Sequence, residues 1–129
     1  MQIKGTFEVK LTPEPPYSTD DGVALGRVHV DKQFSGELTA TSTGEMIAAR
    51  GAIANSAGYV CIERVTGTLA GKRGSFVLQH NGVMDRGTPS LSCTVVPDSA
   101  TGELVGLRGK VAIDIIDKRH YYTFDYELT

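Results

Sequence analysis

His80 lies in a stretch that reads SFVLQHNG (75–82), where it shares one face of any β-strand with Phe76 and Leu78. Side chains two residues apart in a strand point to the same side of the sheet. An imidazole on such an apolar face either fills a place in the core or lines a pocket as a hydrogen-bond donor or general base. Both interpretations stay open, and a carboxylate that oriented the ring would favour the second.

Glu63, in the run YVCIERV, is a carboxylate that could orient this ring. If runs 59–69 and 75–84 form a hairpin around AGKRG, Glu63 and His80 lie at comparable distances from the turn. We therefore predict that they are cross-strand neighbours and candidate acid/base residues. A buried Glu63 would have a raised pKa and would suit proton transfer. The alternative is that Glu63 pairs with a surface arginine, or that Arg64 takes the inward position.

The run HYYTFDYEL (120–128) places a stripe of aromatic residues on one strand face. Tyrosine hydroxyls on apolar rings are the usual mixture in small-molecule cavities, although the same stripe would also serve as core. Runs 59–69 and 75–84 contribute similar side chains. The candidate ligand-binding residues are Tyr59, Phe76, Leu78, Tyr122, Phe124 and Tyr126.

The sequence RVHVD places Arg27, His29 and Asp31 on one face of a strand. These residues could form a His–Asp dyad, but the opposite face, with Val28 and Val30, is the better core. We therefore predict that the three polar side chains form a solvated charged stripe.

Metal binding is not indicated by the spacing of the possible ligands. Cys61 and Cys93 have no second Cys or His at metal-ligand spacing, and the three histidines are dispersed. We predict no metal site, no cofactor, and two buried thiols that behave as small hydrophobic side chains.

Composition and charge argue against several classes of protein. The 13 Lys and Arg against 15 Asp and Glu give a net charge of -2, and the basic residues are scattered, which does not suit nucleic-acid binding. No apolar run approaches the roughly 20 residues that span a bilayer. The opening MQIKGTFEVK has strand pattern and no signal-peptide core, so we expect no membrane partner and a cytoplasmic location.

Alternation of apolar and polar residues dominates the chain and predicts strands. The connections are mostly short, which suits antiparallel neighbours. The one longer connection, PEPPYSTDDG (13–22), contains prolines and should be an ordered loop at a barrel mouth. A short helical turn could form only within GEMIAARGAIANSAG. The predicted strands are 2–12, 23–30, 37–47, 59–69, 75–84, 90–96, 107–116 and 120–128.

Eight such strands in 129 residues predict one all-β domain, 1–129, folded as an eight-stranded, mainly up-and-down antiparallel β-barrel. Closure of the sheet removes unpaired strand edges. A two-sheet sandwich is the structural alternative. A barrel of this size either fills with side chains or holds one small ligand. The inward residues of run 37–47 tend to be small, which favours a hollow end.

Three segments, GTFEVKLTPEPP, GYVCIERVTGTLAGKRGSFVLQHNG and VVPDSATGELVGLRGKVAI, resemble an uncharacterised bacterial family of unknown function in the allene oxide cyclase barrel superfamily. The likeness covers nearly the whole chain. DKQFSGEL, TGELVGLRGKV and HYYTFDYEL are more distantly similar to allene oxide cyclases, and the second of these also to plant dirigent proteins. These motifs are mainly glycine corners and strand aromatics, which carry fold better than chemistry.

The resemblance implies a barrel cavity for an apolar substrate, in which shape steers ring closure with help from a carboxylate and a water. The cyclase carboxylate lies in a segment reading aromatic-Glu-Ile-Asn, so the resemblance implies Glu8 in the matching Phe7-Glu8-Val9-Lys10. Lys10 departs from the Asn, and the alternation instead directs Glu8 outward. Related proteins are trimers, so the resemblance, with apolar residues on both faces of run 59–69, implies a homo-oligomer.

Two functions follow from these patterns. The leading hypothesis is a barrel that binds an apolar small molecule, and that isomerises or cyclises it with Glu63 and His80 as acid and base. The rival is a non-enzymatic module, with a filled barrel and apolar outer faces that bind a partner. The presence of a cavity distinguishes them.

Overall fold

The computed structural model describes residues 1–129 as a single closed barrel of eight strands. Each strand is antiparallel to the next, and β8 pairs with β1 to close the sheet. The predicted eight-stranded antiparallel barrel is therefore confirmed, and no two-sheet sandwich forms. The strands are β1 (Gln2–Pro13), β2 (Ala24–Gly36), β3 (Leu38–Arg50), β4 (Ala57–Leu69), β5 (Lys72–Asp85), β6 (Thr88–Val95), β7 (Arg108–Ile116) and β8 (Arg119–Glu127).

Two elements differ from the prediction. Strand β2 continues six residues beyond the predicted end at Val30, because alternation persists through Phe34. No helix forms within residues 44–58, where a helical turn was predicted to be possible, because residues 44–50 continue β3 and β4 begins at Ala57. The two helical elements are 3-10 turns at Asp20–Gly22 and Gly102–Leu104, and no helix is long and apolar enough to cross a bilayer.

The proline-containing loop after β1 is ordered, as predicted, and lies against the start of β2. The backbone amide of Glu14 donates to the carbonyl of Arg27 at 2.9 Å, and that of Tyr17 donates to the carbonyl of Leu25 at 2.9 Å. The loop follows the end of β1, so it sits at the end of the barrel where odd-numbered strands finish. We name this the open end, and the opposite one the closed end.

The closed end is filled by a hydrophobic core. Leu104 and Leu107, in the connection between β6 and β7, are each 1% exposed and cover this end. The other buried members of the core come from every strand except β7, and they are Ile3, Phe7, Phe34, Leu38, Ala40, Val65, Leu69, Phe76, Leu78, Cys93, Val95, Tyr122, Phe124 and Tyr126. Burial of aromatic and aliphatic surface on this scale is the main stabilising contribution to the fold.

Tyr122 ties three strands together at the closed end. Its hydroxyl donates to the Ser35 carbonyl at 3.0 Å and accepts from the Leu38 amide at 3.2 Å. The ring and the hydroxyl lie directly over Gly5, where a Cβ would overlap the tyrosine and the Ser35 carbonyl. A glycine at this position is thus required for the tyrosine to reach the backbone of β2 and β3.

The seam between β6 and β7 is the least paired part of the barrel. These strands pair only through Thr94 and Lys110, near the closed end. Every other neighbouring pair of strands is hydrogen-bonded over several residues. The sheet is therefore closed at one end and loosely joined along this seam towards the other.

Candidate functional site

The open half of the barrel contains a cavity of about 710 Å³. This volume falls within the roughly 300 to 1,000 Å³ of typical small-molecule sites. The residues that line it are mostly hydrophobic, and they include Val9, Leu11, Val30, Met46, Ala48, Tyr59, Leu91 and Ile113. The barrel is thus divided into a packed half and a hollow half.

Lys32, Glu63 and His80 form the floor of this cavity; we refer to them as the floor triad. Lys32 and His80 line the cavity, and Glu63 lies beneath them with no exposed surface. Glu63 Oε2 is 2.9 Å from Lys32 Nζ and 3.3 Å from His80 Nε2. Three ionisable groups therefore meet where the packed half gives way to the hollow half.

Small residues on β3 allow Lys32 and Glu63 to meet, because β3 separates their strands. Lys32 pairs with Ser42 across β2 and β3, and Gly44 pairs with Glu63 across β3 and β4. A Cβ at Gly44 would lie 2.6 Å from Glu63 Cβ. The small inward residues of β3 therefore make room for the ion pair, and the hollow end begins beyond them at Met46.

His80 is inward on β5, as its alternation with Phe76 and Leu78 predicts. Its direct cross-strand partners are Cys61 on β4 and Cys93 on β6. Glu63 pairs with Leu78 in the ladder, so its contact with His80 is a diagonal one. The sequence prediction that the two residues are neighbours holds at side-chain level, with a register offset of two residues.

The charge state of Glu63 differs from the sequence expectation. Burial alone would raise the pKa of Glu63, but the contacts with His80 and with the Lys32 ammonium outweigh it and lower the pKa. The expectation of a raised pKa was wrong because it considered burial alone and left out the effects of His80 and, after it, Lys32. Glu63 is therefore a carboxylate at neutral pH, and its charge lies against the Lys32 side chain.

The floor triad is poorly satisfied by hydrogen bonds. Lys32 Nζ and His80 Nε2 approach Glu63 Oε2 closely, yet neither Glu63 oxygen has a well-aligned hydrogen-bond partner. The buried hydroxyl of Ser42 also has none. Buried polar atoms are normally paired, so these unpaired atoms make the floor a candidate site.

Aromatic rings stabilise the Lys32 ammonium on its other side. Its Nζ lies 5.1 Å from the centroid of Phe7 and 6.0 Å from that of Phe34. Cation–π contacts of this kind contribute about 0.5 to 2 kcal/mol, more when the cation is desolvated. They hold the ammonium at the cavity floor without using any of its N–H donors.

The remaining polar groups near the floor are uncharged. Burial, followed by the neighbouring Cys93, Cys61 and Glu63, raises the pKa of Tyr59 to about 12. Burial, with the nearby Glu63 carboxylate, raises the pKa of Cys61 to about 11 and that of Cys93 to about 12. Both thiols are free and protonated, which does not suit a nucleophile.

The six candidate ligand-binding residues divide between the two halves. Tyr59 lines the cavity, and its ring covers Gly82 on β5. The other five lie in the packed core of the closed half and do not line the cavity, and they are Phe76, Leu78, Tyr122, Phe124 and Tyr126. The face was predicted correctly for the five residues on β5 and β8 and was left open for Tyr59 on β4, and the level of the six residues along the barrel was not predicted.

Glu8, the carboxylate suggested by resemblance, points away from the interior. It is exposed on the outer face of β1, between the inward Phe7 and Val9. The alternation described this strand correctly, and the two-residue match to the cyclase segment did not. Glu8 therefore has no contact with the cavity floor.

The predicted charged stripe on β2 is outside the barrel. Arg27 Nε donates to Glu45 Oε1 at 2.8 Å, and His29 contacts Glu45 and Asp31 at 2.6 and 3.2 Å. Val30, which lies between His29 and Asp31 in the sequence, points inward and is only 1% exposed. No group of three or more His, Cys, Asp or Glu side chains is arranged to hold a metal ion.

Lys32 is the site residue that the sequence reading did not identify. It follows Val28 and Val30 at the period of a strand and precedes Phe34, so alternation alone would have directed it inward. The predicted end of the strand at Val30 hid this signal. An inward lysine in an otherwise apolar stripe was the missing indication of an ion pair with Glu63.

Comparisons with known proteins agree on a family without an assigned role. A family profile described as "Protein of unknown function (DUF3224)" matches residues 3–126, so the chain belongs to this family. The crystal structure of a DUF3224 protein of unknown function from Shewanella oneidensis MR-1 is similar, with 51% sequence identity and a TM-score of 0.96. The match covers 100% of this chain and 97% of that one. No curated protein matches.

Proposed function

We propose that this DUF3224 member binds an apolar small molecule in the open half of its barrel. The observation that carries the proposal is the cavity of about 710 Å³, with mostly hydrophobic walls and the floor triad at its base. Apolar walls with a few polar groups at one place are the usual composition of a ligand site, because the walls supply affinity and the polar groups fix orientation. Tyr59 and Met46 would contact the ligand along the walls.

A reaction in this cavity would be an isomerisation or a cyclisation. Walls that hold a flexible molecule in one folded shape lower the entropic barrier to such reactions. Glu63 and His80, with Lys32 between cavity and carboxylate, would supply acid and base. The resemblance to allene oxide cyclases supports this class of reaction, although their carboxylate position corresponds here to the outward Glu8.

Binding can be tested with anilinonaphthalene sulfonate, a dye whose fluorescence rises in apolar cavities. Ala48 lines the cavity, and its neighbour Ala49 points outward on the same strand. We expect Ala48→Trp to fill the open end and to lower dye binding at least about tenfold, which corresponds to roughly 1.4 kcal/mol. Ala49→Trp is the matched control and should leave dye binding unchanged. Equal binding by both variants would contradict the proposal.

A second candidate function is self-association through the outer face of β3 and β4. Ile47, Val60 and Ile62 are 42%, 54% and 52% exposed, and Ile47 and Val60 are direct cross-strand partners. Apolar residues grouped in this way favour a contact with a second copy of the chain. Sedimentation equilibrium would test it, with Ile62→Lys expected to shift an oligomer towards monomer. A wild-type protein that sediments as a monomer would contradict it.

A further inference from the structure

We propose that the cavity floor is a proton-transfer site for uncharged ketones that can enolise. Lys32 and His80 would be the catalytic residues, and Glu63 would be a positioning residue behind them. This inference rests on the proposed binding function, since the substrate must first occupy the cavity. It adds the chemical class of the substrate and the reaction that the floor performs.

The charge of the floor favours an uncharged ligand. Lys32 and Glu63 neutralise each other at 2.9 Å, and no other charged side chain lies at the floor. Asp114, which also lines the cavity, lies on the outer half of β7 near the open end. A carboxylate or an amine placed at the floor would be a further buried charge without a counter-charge, which is costly.

The groups that face the cavity favour a ligand with an acceptor oxygen. Glu63 has no exposed surface, so its acceptors are not open to a ligand that rests on the floor. Lys32 carries three donors and no acceptor, and its contacts other than Glu63 are with the rings of Phe7 and Phe34. A carbonyl oxygen that accepts from Lys32 Nζ would use a donor that the protein leaves free.

His80 is suited to act as the base beside this oxygen site. Its Nε2 faces Glu63 Oε2 at 3.3 Å and Cys93 Sγ at 3.5 Å. A carboxylate beside one ring nitrogen favours the proton on that nitrogen, which leaves the lone pair on Nδ1. Nδ1 makes no hydrogen bond within the protein, while the ring lines the cavity. Glu63 thus fixes the tautomer and stabilises the imidazolium once it forms.

The proposed step is redox-neutral and needs no cofactor. His80 Nδ1 takes a proton from the carbon next to the carbonyl, and the electron pair of that C–H bond forms the enolate. The negative charge develops on the carbonyl oxygen, where the Lys32 ammonium stabilises it. The imidazolium then returns a proton to the same carbon, or to a conjugated carbon, which isomerises the double bond.

Deuterium exchange into β-tetralone, a bicyclic ketone, provides the test. Proton NMR in D₂O would follow loss of the signals next to the carbonyl, with and without the wild-type protein. We expect the protein to accelerate exchange at least about 10²-fold over the same concentration of free imidazole, as general acid–base catalysis does. No acceleration by the wild-type protein would overturn the inference.

Variants assign the roles of the three residues. His80→Gln and Lys32→Met should each lower the exchange rate at least about tenfold, while His29→Gln, on the outer face, should not. Glu63→Gln should lower kcat and leave KM unchanged, because Glu63 acts through His80. Circular dichroism establishes which variants are folded. Equal rates for folded His80→Gln, folded Lys32→Met and wild type would overturn the inference.

Benzophenone, a ketone without such protons, separates binding from chemistry. Its binding can be followed by saturation-transfer NMR, with Ala48→Trp as the blocked control. Binding of benzophenone together with exchange into β-tetralone supports both proposals. Binding without exchange overturns the proton-transfer inference and leaves the binding function standing. If neither ketone binds and the dye does not bind, both proposals fail.

Discussion

Lys32 Nζ and Glu63 Oε2 lie 2.9 Å apart inside the barrel, although their strands, β2 and β4, are not neighbours. The side chains meet over β3, where Ser42 and Gly44 leave space. The pair marks the boundary between the packed and the hollow half. A charged pair at this level explains why the core stops where it does, since further apolar packing would desolvate both charges completely.

Gly44→Ala should destabilise the barrel. Its Cβ would lie 2.6 Å from both Glu63 Cβ and the carbonyl oxygen of Ile62, so strand or side chain must move. Overpacking of this kind costs about 1 to 3 kcal/mol, which thermal and urea unfolding would measure. Gly58→Ala is the control, because its nearest neighbour would be 3.7 Å away. A Gly44→Ala protein as stable as Gly58→Ala would contradict this account.

Loss of one partner of the Lys32–Glu63 pair should cost more than loss of both. Lys32→Met leaves the Glu63 carboxylate buried and unpaired, and Glu63→Gln does the same to the ammonium. Each should lower the free energy of unfolding by about 3 to 5 kcal/mol. The double variant, Lys32→Met with Glu63→Gln, should be more stable than the sum of the single losses predicts.

A double-mutant cycle by urea unfolding measures this coupling. The control is the exposed pair Arg27–Glu45 on the outer face, whose side chains are 51% and 42% exposed. Arg27→Met with Glu45→Gln should show no measurable coupling, because solvent screens exposed pairs. Strict additivity for the buried pair would show that Lys32 and Glu63 do not depend on each other.

His29 should titrate above its usual range. The hydrogen bond to Glu45 raises the pKa of His29 above 6.5, against a smaller effect of burial, with Asp31 acting in the same direction as Glu45. The folded-state pKa is the higher one, so the contact stabilises the fold fully below pH 6.5. The contribution is lost as the pH rises through the raised pKa.

NMR titration of the His29 ring measures this directly. Glu45→Gln should lower the midpoint of His29, because it removes the largest cause of the shift. Glu8→Gln, on the same outer surface but without contact to His29, should leave the midpoint where it is. If His29 of the wild-type protein titrated with a midpoint at or below pH 6.5, the hydrogen bond between His29 and Glu45 would be contradicted.

The two thiols should be inert in the folded protein. Cys61 and Cys93 are 3% and 2% exposed, and burial raises their pKa values to about 11 and about 12. Ellman's reagent at pH 8 should therefore modify both only after denaturation, since the thiolate is the reactive form. Ser92→Cys, exposed beside Cys93, should add one fast-reacting thiol. Fast reaction of wild type would show that the cavity floor opens to solvent.

The sequence predicts most of the architecture because alternation is a local property. Ile3 and Phe7 on β1, and Phe76 and Leu78 on β5, are inward as their period indicates. On β4 the local pattern is ambiguous, since both of its faces carry apolar side chains. In the structure Glu63 points inward and Ile62 points outward. The inward position of Glu63 depends on Lys32 and His80, which reach its carboxylate from other strands.

The level of a residue along the barrel axis could not be predicted from the sequence in the same way. Tyr59 and Tyr122 share an inward orientation, yet one lines the cavity and the other packs in the closed end. Their levels follow from strand register, which depends on turns at both ends of each strand. The ion pair of the floor depends on three strands at once, so no single stretch of sequence contains its signature.

Because β6 and β7 pair only through Thr94 and Lys110, the seam between these strands is where the barrel can open locally. Beyond it, β6 and β7 face each other without a ladder, and Leu91 and Ile113 on either side of the seam line the cavity. Separation of these strands breaks few backbone hydrogen bonds, so amide protons along the seam should exchange before those of β3 and β4. For a ligand of the proposed kind, this seam would be a second route into the cavity, through the wall of the barrel rather than through its open end.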